Sequence, residues 1–497
     1  MSAAASATPA AVMAEQCTGR GRDGVVCAAA PLAALAGAEC LREGGNAFDA
    51  AVAAALAETV LLPPKCGLGG DLVAIVLRSG THRPEALIAV GGAPSGLASI
   101  ATGGAWRDVG PNSVGPPAAA AGYQALAELG VLGRERLAAQ AIDLARNGFP
   151  WAAVCTRLSE QAAGLVAEMN PDGCAYFPNG APIAPGALTR LPGLADVIAE
   201  WVRLGDGMLD GPVGAAIVDA VTTRGGVLDH ASLEFAVAEW SQCATRTIAA
   251  RQVWATPAPT HGPLLLDAID AIDATPSDAG AVYRSLLAAI GRGRESLADP
   301  SGTSIVSAGD RFGNVVVIVH SNSYPRFGSG IVVSGYDLVL ANRAGRGFSP
   351  VPGHPNFPTA GRRPATTLHA WAVSRTDSAG VRLMGGTPGG ANQITWNAQS
   401  LTRVLDGCDE PGVLVTAPLW EWLPEDDGVR IEAGMPDIDA DALRAVAPRV
   451  IATSQWGCKS AQQVVRIPDA IPDTVPDTGG VWVGAADPRT QGAAIGV

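Results

Sequence analysis

The order of apolar and polar positions divides the chain into stretches of helical and of strand character. Pro31 opens an apolar segment that closes at Gly44-Gly45, the expected asymmetry of proline in the first turn and glycine past the last. Asn46 can cap a second helix, with Asp49 three residues on as its capping-box partner. That helix is expected to run to about Val60 and to stop before Pro63-Pro64. The loop KCGLGG then feeds the apolar run Leu72 to Leu77, read as a buried strand. Apolar spacing predicts mostly helix over 118–170 and 190–223, and one more helix over 279–290. After the polar stretch GRGRESLADPSG the pattern changes. Thr303 to Ala308 and Asn314 to His320 read as two β-rich runs joined by the turn DRFGN, and 331–333 and 338–340 continue the strand pattern. The chain thus reads as a helix-rich part with core strands, residues 1–302, and a β-rich part, residues 303–497, with the break at 299–302.

Composition narrows the classes. The 497 residues are 48% apolar and only 16% charged, against about 25% charged in ordinary soluble domains, so the chain can bury a large core. A net charge of −13 and a pI near 4.9 argue against a nucleic-acid partner, which would need a basic stripe. The N-terminal MSAAASATPAAVMAEQ lacks the charged and continuous apolar regions of a secretory signal. The longest apolar runs, interrupted by Pro31 and ended by Glu58, fall short of the roughly 18 residues of a membrane span. Nine scattered cysteines without a CxxC read as free thiols of a reducing compartment, so a cytoplasmic protein is expected. Six histidines lie far apart with no HxxxH, and no metal site is expected.

Thr303 carries the first chemical signal. It follows the small pair Ser301-Gly302 and begins a strand. A threonine hydroxyl is a weak nucleophile without a base beside it. Were the Gly302–Thr303 bond cut, the new α-amine would sit on the same residue, with a pKa of about 7.7–8.0 suited to accept the hydroxyl proton.

The surroundings of Thr303 resemble the γ-glutamyltranspeptidase family of N-terminal-nucleophile hydrolases over nearly the whole chain. REGGNAFDAAVAAALAETVLLPPKCGLGGD resembles the family's signature near the N-terminus. VGPPAAAAGYQALAELG, AIDLARNGFPW, FPNGAPIAPGALTRLPGLA and ATPAPTHGPLL resemble later blocks. GTSIVSAGDRFGN aligns without gaps on the nucleophile segment, and GHPNFPTAGRRPATTL, GGTPGG and GAADPRTQGAA complete the order. The resemblance implies an α+β fold, a four-layer αββα sandwich. It also implies a precursor that cleaves itself between Gly302 and Thr303 into interlocked large and small subunits of 302 and 195 residues. It places the nucleophile at Thr303, the oxyanion-stabilising amides at Gly389 and Gly390, and a hydroxyl near the nucleophile's amine at Ser321. Asn322 lies near a family asparagine. Thr366 and Thr367 match a Ser-Ser pair that contacts the substrate carboxylate and helps the oxyanion site. No metal or organic cofactor is implied, since nucleophile, base and oxyanion donors are all protein groups.

The departures bear on substrate. Where the family reads the γ-glutamyl carboxylate with the arginine of an Arg-Glu-x-Ala-Pro motif, this chain has Val90-Gly91-Gly92-Ala93-Pro94. Where acidic residues read the α-ammonium, it has Ala341-Asn342-Arg343-Ala344-Gly345-Arg346. Arg343 and Arg346 would repel an ammonium and offer a carboxylate a bidentate fork, with Asn342 beside them; the alternative is that both arginines point to solvent. Ile305 replaces a histidine, and the stretch before the nucleophile is short. The expected function is therefore hydrolysis of a small, anionic, non-γ-glutamyl substrate. Outlying relatives of actinobacterial 4-alkylproline antibiotic pathways suggest hydrolytic C–C cleavage releasing a 2-oxo acid unit. An amide hydrolase or acyltransferase, conventional γ-glutamyl transfer, and an inactive scaffold are the alternatives.

Overall fold

The computed structural model describes residues 9–272, 279–292, 302–376, 380–424, 426, 428–469 and 480–497. Most of the polar stretch before the nucleophile, with residues 299–301 of the expected break, lies outside the described residues.

Two seven-stranded antiparallel sheets form the centre. The first runs, in spatial order, Ala493–Gly496, Gly24–Ala28, Thr303–Asp310, Val315–Ser321, Asp71–Leu77, Glu85–Ala89 and Glu239–Gln242. The second runs Thr18–Gly21, Trp482–Ala486, Gln463–Arg466, Val381–Gly386, Ala370–Ser374, Arg251–Ala255 and Ala244–Ile248. Side-chain alternation sorts the strands into layers. Val25, Val73, Ile75, Ile305, Val317 and Val319 of the first sheet meet Ala370, Ala372, Met384, Val465 and Trp482 of the second in one apolar core. The opposite face of the first sheet, Val26, Ala74, Val306 and Ile318, packs on helices that include Ala47–Leu61, Ala119–Ala127 and Arg134–Asn147. The outer face of the second sheet, Val253, Trp371, Val373 and Leu383, packs on Gly262–Asp270, Ala279–Arg292 and Asn392–Leu405. The molecule is a helix–sheet–sheet–helix sandwich, as expected.

Most helices lie before residue 303 and most strands after it, and the two parts interlock. Both sheets take strands from before and after residue 303. The strands at 24–28, 85–89 and 251–255 are short and mostly buried, and short apolar runs carry no period that separates strand from helix. The runs near 331 and 338 form a separate two-stranded ribbon outside both sheets, in which Val332–Val333 pairs with Leu338–Val339. Among the described residues no helix is long and apolar enough to cross a membrane.

Helix Ala47–Leu61 explains how the hairpin that begins at Thr303 is held. All of its residues are buried, so its apolar character runs round the whole circumference. A buried helix end must satisfy its free N–H groups locally. The Asn46 side chain accepts from Phe48 and Asp49 N–H at 2.9 and 3.1 Å, and Asp49 accepts from Asn46 N–H at 2.8 Å, the expected capping box. The remaining donor, Ala47 N–H, reaches Asp310 Oδ2 at 2.7 Å. Asp310 also accepts from Phe312 N–H and Asn314 N–H, closing the DRFGN turn between the two central strands. Burial lifts the Asp310 carboxyl above its ordinary range, and these donors pull it back. One carboxylate thus pins the hairpin to the helix. Asp310→Ala strands the buried Ala47 N–H, Asn314 N–H and Asn314 Nδ2, and a loss of about 3 kcal/mol or more is expected in urea unfolding; a loss below about 0.5 kcal/mol, the scale of an ordinary surface change, would contradict this role.

Candidate active site

The antiparallel register builds the site. Thr303 pairs with Ser321, and Ser321 pairs with Asp71 on the next strand. Directly paired residues share a face, and these three share the face of Ile305, Val319 and Val73, toward the second sheet. They form a row across three strand ends, with about 4.8 Å per strand and so about 10 Å from the Thr303 backbone to that of Asp71. All three are buried.

Around the Gly302–Thr303 bond the hydrogen bonds have one consistent assignment. A carbonyl only accepts, so Ser321 O–H donates to Gly302 O at 2.8 Å. Ser321 Oγ accepts from Ser323 N–H at 2.8 Å and, with its second lone pair, from the Thr303 hydroxyl at 3.0 Å. The Gly302–Thr303 bond thus has a hydrogen-bonded carbonyl beside an oriented hydroxyl. Gly302 is the one residue type this path admits, since a Cβ there would lie 1.6 Å from Ser323 O.

Gln463 fixes the second sheet over this row. It pairs with Gly386 in the second sheet, while its side chain crosses to the first. Its Nε2 donates to Ile305 O at 2.7 Å and its Oε1 accepts from Ser307 Oγ at 3.1 Å. Gly386 is followed directly by Thr387-Pro388-Gly389-Gly390, so this loop emerges at the end of the sandwich where Thr303 begins its strand. Gly389 at φ +151° and Gly390 at φ +57° take backbone conformations that suit glycine, and a Cβ on Gly389 would meet the Trp396 ring at 2.3 Å. Their carbonyls accept from Asn392 and Gln393 N–H, each at 3.0 Å. Both glycines are buried, yet no described group accepts from either N–H. Buried backbone donors are rarely left so. Two adjacent free N–H groups are suited to hold an oxyanion.

The arginines do not both point to solvent. Arg343 is buried, and its Nε donates to Asp71 Oδ2 at 2.9 Å, at the end of the row. Burial raises the Asp71 carboxyl above its usual range, while Arg343 and Gly91 N–H pull it down. Arg343 Nη2 is buried without a hydrogen-bond partner among the described residues. Arg346 goes elsewhere, bonding Asp108 at 3.0 Å and lying over the Tyr324 ring. Asn342 Nδ2 donates to Asp108 O and Tyr324 O, both at 2.6 Å, and leaves Oδ1 unpartnered. Asn322 Nδ2 donates to Pro63 O at 3.1 Å, and its Oδ1 is also unpartnered. Thr366 bonds Pro259 O through its N–H and accepts from Leu368 N–H, while the Thr367 carbonyl faces the His369 ring. The pair leads into the strand Ala370–Ser374, whose first residue pairs with Gly386.

Several residues of this site carry no sequence signal of their own. Asp71 is one acid after a glycine pair, and Gln463 and Gln393 are ordinary glutamines until the fold places them. Gln393 is buried at the start of the helix Asn392–Leu405, with both amide ends unpartnered. Behind the row, on the helix-facing side, Glu58, Cys66 and His320 bring possible metal ligands within 4.8 Å of one another. Each of the three is hydrogen-bonded within the protein, Cys66 through Sγ to Glu58 O at 3.7 Å. Glu58 accepts from Ala29 N–H at 2.6 Å and meets His320 Nε2 at 2.9 Å, and His320 Nδ1 meets Tyr123 O–H at 2.6 Å. Burial and the Glu58 charge hold the Cys66 thiol well above its ordinary range. The group is a hydrogen-bonded brace of the strand that carries Ser321. A charged residue within an otherwise apolar helix, Glu58, is the signal that points to it.

Comparison with known proteins gives the family and the fold. The chain is 27% identical to the oxamate amidohydrolase proenzyme of Klebsiella pneumoniae over 531 residues, covering 94% of this chain and 97% of that protein. The crystal structure of cephalosporin acylase from Bacillus halodurans superposes with a TM-score of 0.81 at 25% identity, covering 97% of each chain. The structure of LmbA2991HD has a TM-score of 0.81 at 22% identity, covering 97% of this chain and 99% of that one, and shares the fold. The family description Gamma-glutamyltranspeptidase matches residues 33–289 and 278–497. The chain belongs to the γ-glutamyltranspeptidase family of N-terminal-nucleophile hydrolases.

Proposed function

We propose that this chain is a self-processing hydrolase with Thr303 as nucleophile, acting on a small anionic substrate at a carbonyl that belongs to a 2-oxo acid unit. The observation that carries this reading is the row Thr303–Ser321–Asp71, which ends on a buried arginine with an unpartnered N–H.

The hydrogen bonds at the junction support a route for self-cleavage. Thr303 Oγ attacks the Gly302 carbonyl carbon. Its proton passes to Ser321 Oγ as Ser321 gives its own to the carbonyl oxygen. Collapse breaks the C–N bond, the nitrogen takes the proton back, and an ester joins Gly302 to Thr303 Oγ. Water hydrolyses the ester, leaving the Gly302 carboxylate and a free α-amine on Thr303.

In turnover the α-amine takes the hydroxyl proton while Thr303 Oγ adds to the substrate carbonyl, and the N–H groups of Gly389 and Gly390 hold the oxyanion. The bond from the acyl carbon then breaks, its electron pair leaving on the departing atom, which the ammonium protonates. For cleavage of a C–C bond that atom is a carbon whose charge an adjacent unsaturated group can spread. Water releases the acyl group from Thr303, as oxalate where the group is oxalyl. Arg343 meets a substrate carboxylate through Nη2, its charge already anchored by Asp71. A γ-glutamyl group fits less well, because its ammonium would face a cation. The amide version of the same acyl transfer is the second reading. It is favoured by the likeness to oxamate amidohydrolase over nearly that protein's whole length. The nine cysteines, all free thiols, fit a cytoplasmic setting.

Three outcomes are expected. Ser321→Ala removes the donor on the Gly302 carbonyl and slows self-cleavage about 100-fold, read by gel band ratio over time; an unchanged rate would remove Ser321 from the step. Arg343→Gln, combined with Asp71→Asn so that no buried carboxylate is stranded, raises KM for synthetic 2-oxo diacids about 10- to 100-fold. Equal losses on uncharged acyl substrates would show that Arg343 reads no charge. The α-amine must be neutral to accept a proton, so kcat/KM is lost as pH falls below its pKa, ordinarily about 7.7–8.0. A profile flat down to pH about 6, below that range, would contradict an amine base.

A further inference from the structure

A second buried chain of hydrogen bonds joins two parts of the site and is not used by the steps above. His369 and Asn397 are buried, on the helix-facing side of the second sheet. His369 Nδ1 lies 2.7 Å from the Thr367 carbonyl, and His369 Nε2 lies 2.8 Å from Asn397 Nδ2. Trp371 Nε1 donates to Asn397 Oδ1 at 3.1 Å. Every proton in this chain has one place. A carbonyl cannot donate, so His369 carries its proton on Nδ1. Nε2 then offers a lone pair and accepts from the Asn397 amide. The amide orientation is fixed from its other end, because the indole N–H can only donate.

The neutral imidazole is thereby locked. A proton on Nε2 would point at the amide NH₂. Turning the amide would set that NH₂ against the indole N–H instead. Burial also holds the His369 ring at a pKa of about 4. The other titratable group that faces it is His261, itself held to about 3 by burial and by the nearby His369 and Arg343 charges.

The two ends of this chain matter. One end is the carbonyl of Thr367. The other is the helix Asn392–Leu405, whose first N–H groups bond the carbonyls of Gly389 and Gly390. We propose that the Trp371–Asn397–His369–Thr367 chain sets the distance between the Thr366–Thr367 pair and the two glycine N–H groups, making His369 and Asn397 positioning residues for acyl transfer. This rests on the reading of Gly389-Gly390 as the oxyanion site. Neither residue touches substrate. They act by making the threonine segment and the oxyanion helix one rigid unit, and an error of about 1 Å in such a placement can cost about 100-fold in rate.

The experiment compares Asn397→Leu, Asn397→Asp and Trp371→Phe with the wild type, all as full-length protein, on the best acyl substrate found. Asn397→Leu breaks the chain, and kcat falls about 10- to 100-fold with little change in KM. Asn397→Asp can accept from both the indole and a protonated Nε2. It regains most of kcat, but only with an imidazolium at His369, so its kcat gains a basic limb that the wild type lacks. A packing role alone would lower the melting temperature of all three variants and leave kcat of the folded protein and its pH profile unchanged, which would overturn the proposal. If Asn397→Leu does not fold, Trp371→Phe breaks only the far link and is expected to lower kcat by a few-fold; unchanged kcat there would overturn it as well. Self-cleavage and activity of wild type and Thr303→Ala are measured alongside. An uncleaved wild type, or an active Thr303→Ala, would remove the parent reading. A processed wild type with a fully active Asn397→Leu would remove only the inference.

Discussion

Everything at this site depends on one antiparallel register. Setting Thr303 opposite Ser321, and Ser321 opposite Asp71, brings two hydroxyls and the carboxylate that holds Arg343 onto one face of one sheet. A slip of one residue would turn all three to the helix side and expose Ser304 and His320 in their place. The molecule invests accordingly in holding these strands. Asp310 ties their turn to a buried helix end, and the Tyr123–His320–Glu58 brace holds the far strand from behind. Gln463 sets the second sheet over the first by bonding the backbone just past the nucleophile.

The second organising feature is where polar groups are left incomplete. Most buried polar atoms find partners, and those that do not mark strain or a binding place. Here the free N–H groups of Gly389 and Gly390, the Arg343 Nη2 and the Oδ1 atoms of Asn322 and Asn342 belong to segments at or next to the end of the sandwich where Thr303 lies. The set offers donors suited to an oxyanion and a carboxylate, with amide acceptors beside them. Arg343 stands where the family motif carries acidic residues. The Asp71 partner keeps this arginine buried and fixed in place.

Much of this was legible in the chain. The proline and glycine punctuation located the first helices, and the Asn46–Asp49 cap formed as its spacing required. The strand pair at Thr303 and Val315 stood out because two β-rich runs flank the turn Asp310-Arg311-Phe312-Gly313-Asn314. What could not be read was contact between distant segments. The partners Arg343 and Asp71 are 272 residues apart, and Glu58 and His320 are 262 apart. Each is a single polar residue in its own neighbourhood, so neither period nor spacing pairs them. The strands of the second sheet were hidden for a related reason. Ala370–Ser374 and Val381–Gly386 are buried on both faces, and such strands lack the alternation that identifies an amphipathic one. The fates of Arg343 and Arg346 were equally hidden, because burial of a charge depends on where its counter-charge lies. Asp71 and Asp108 decide that, and they sit far away in sequence.

A fold that serves to present the α-amine and hydroxyl of Thr303 together must be cut at one bond, Gly302–Thr303. N-terminal sequencing of the smaller fragment from purified protein tests it most directly. The account predicts a fragment that begins with Thr303-Ser304-Ile305, present in the wild type and absent from Thr303→Ala. A chain that stays whole, or a fragment that begins at any other residue, would contradict it.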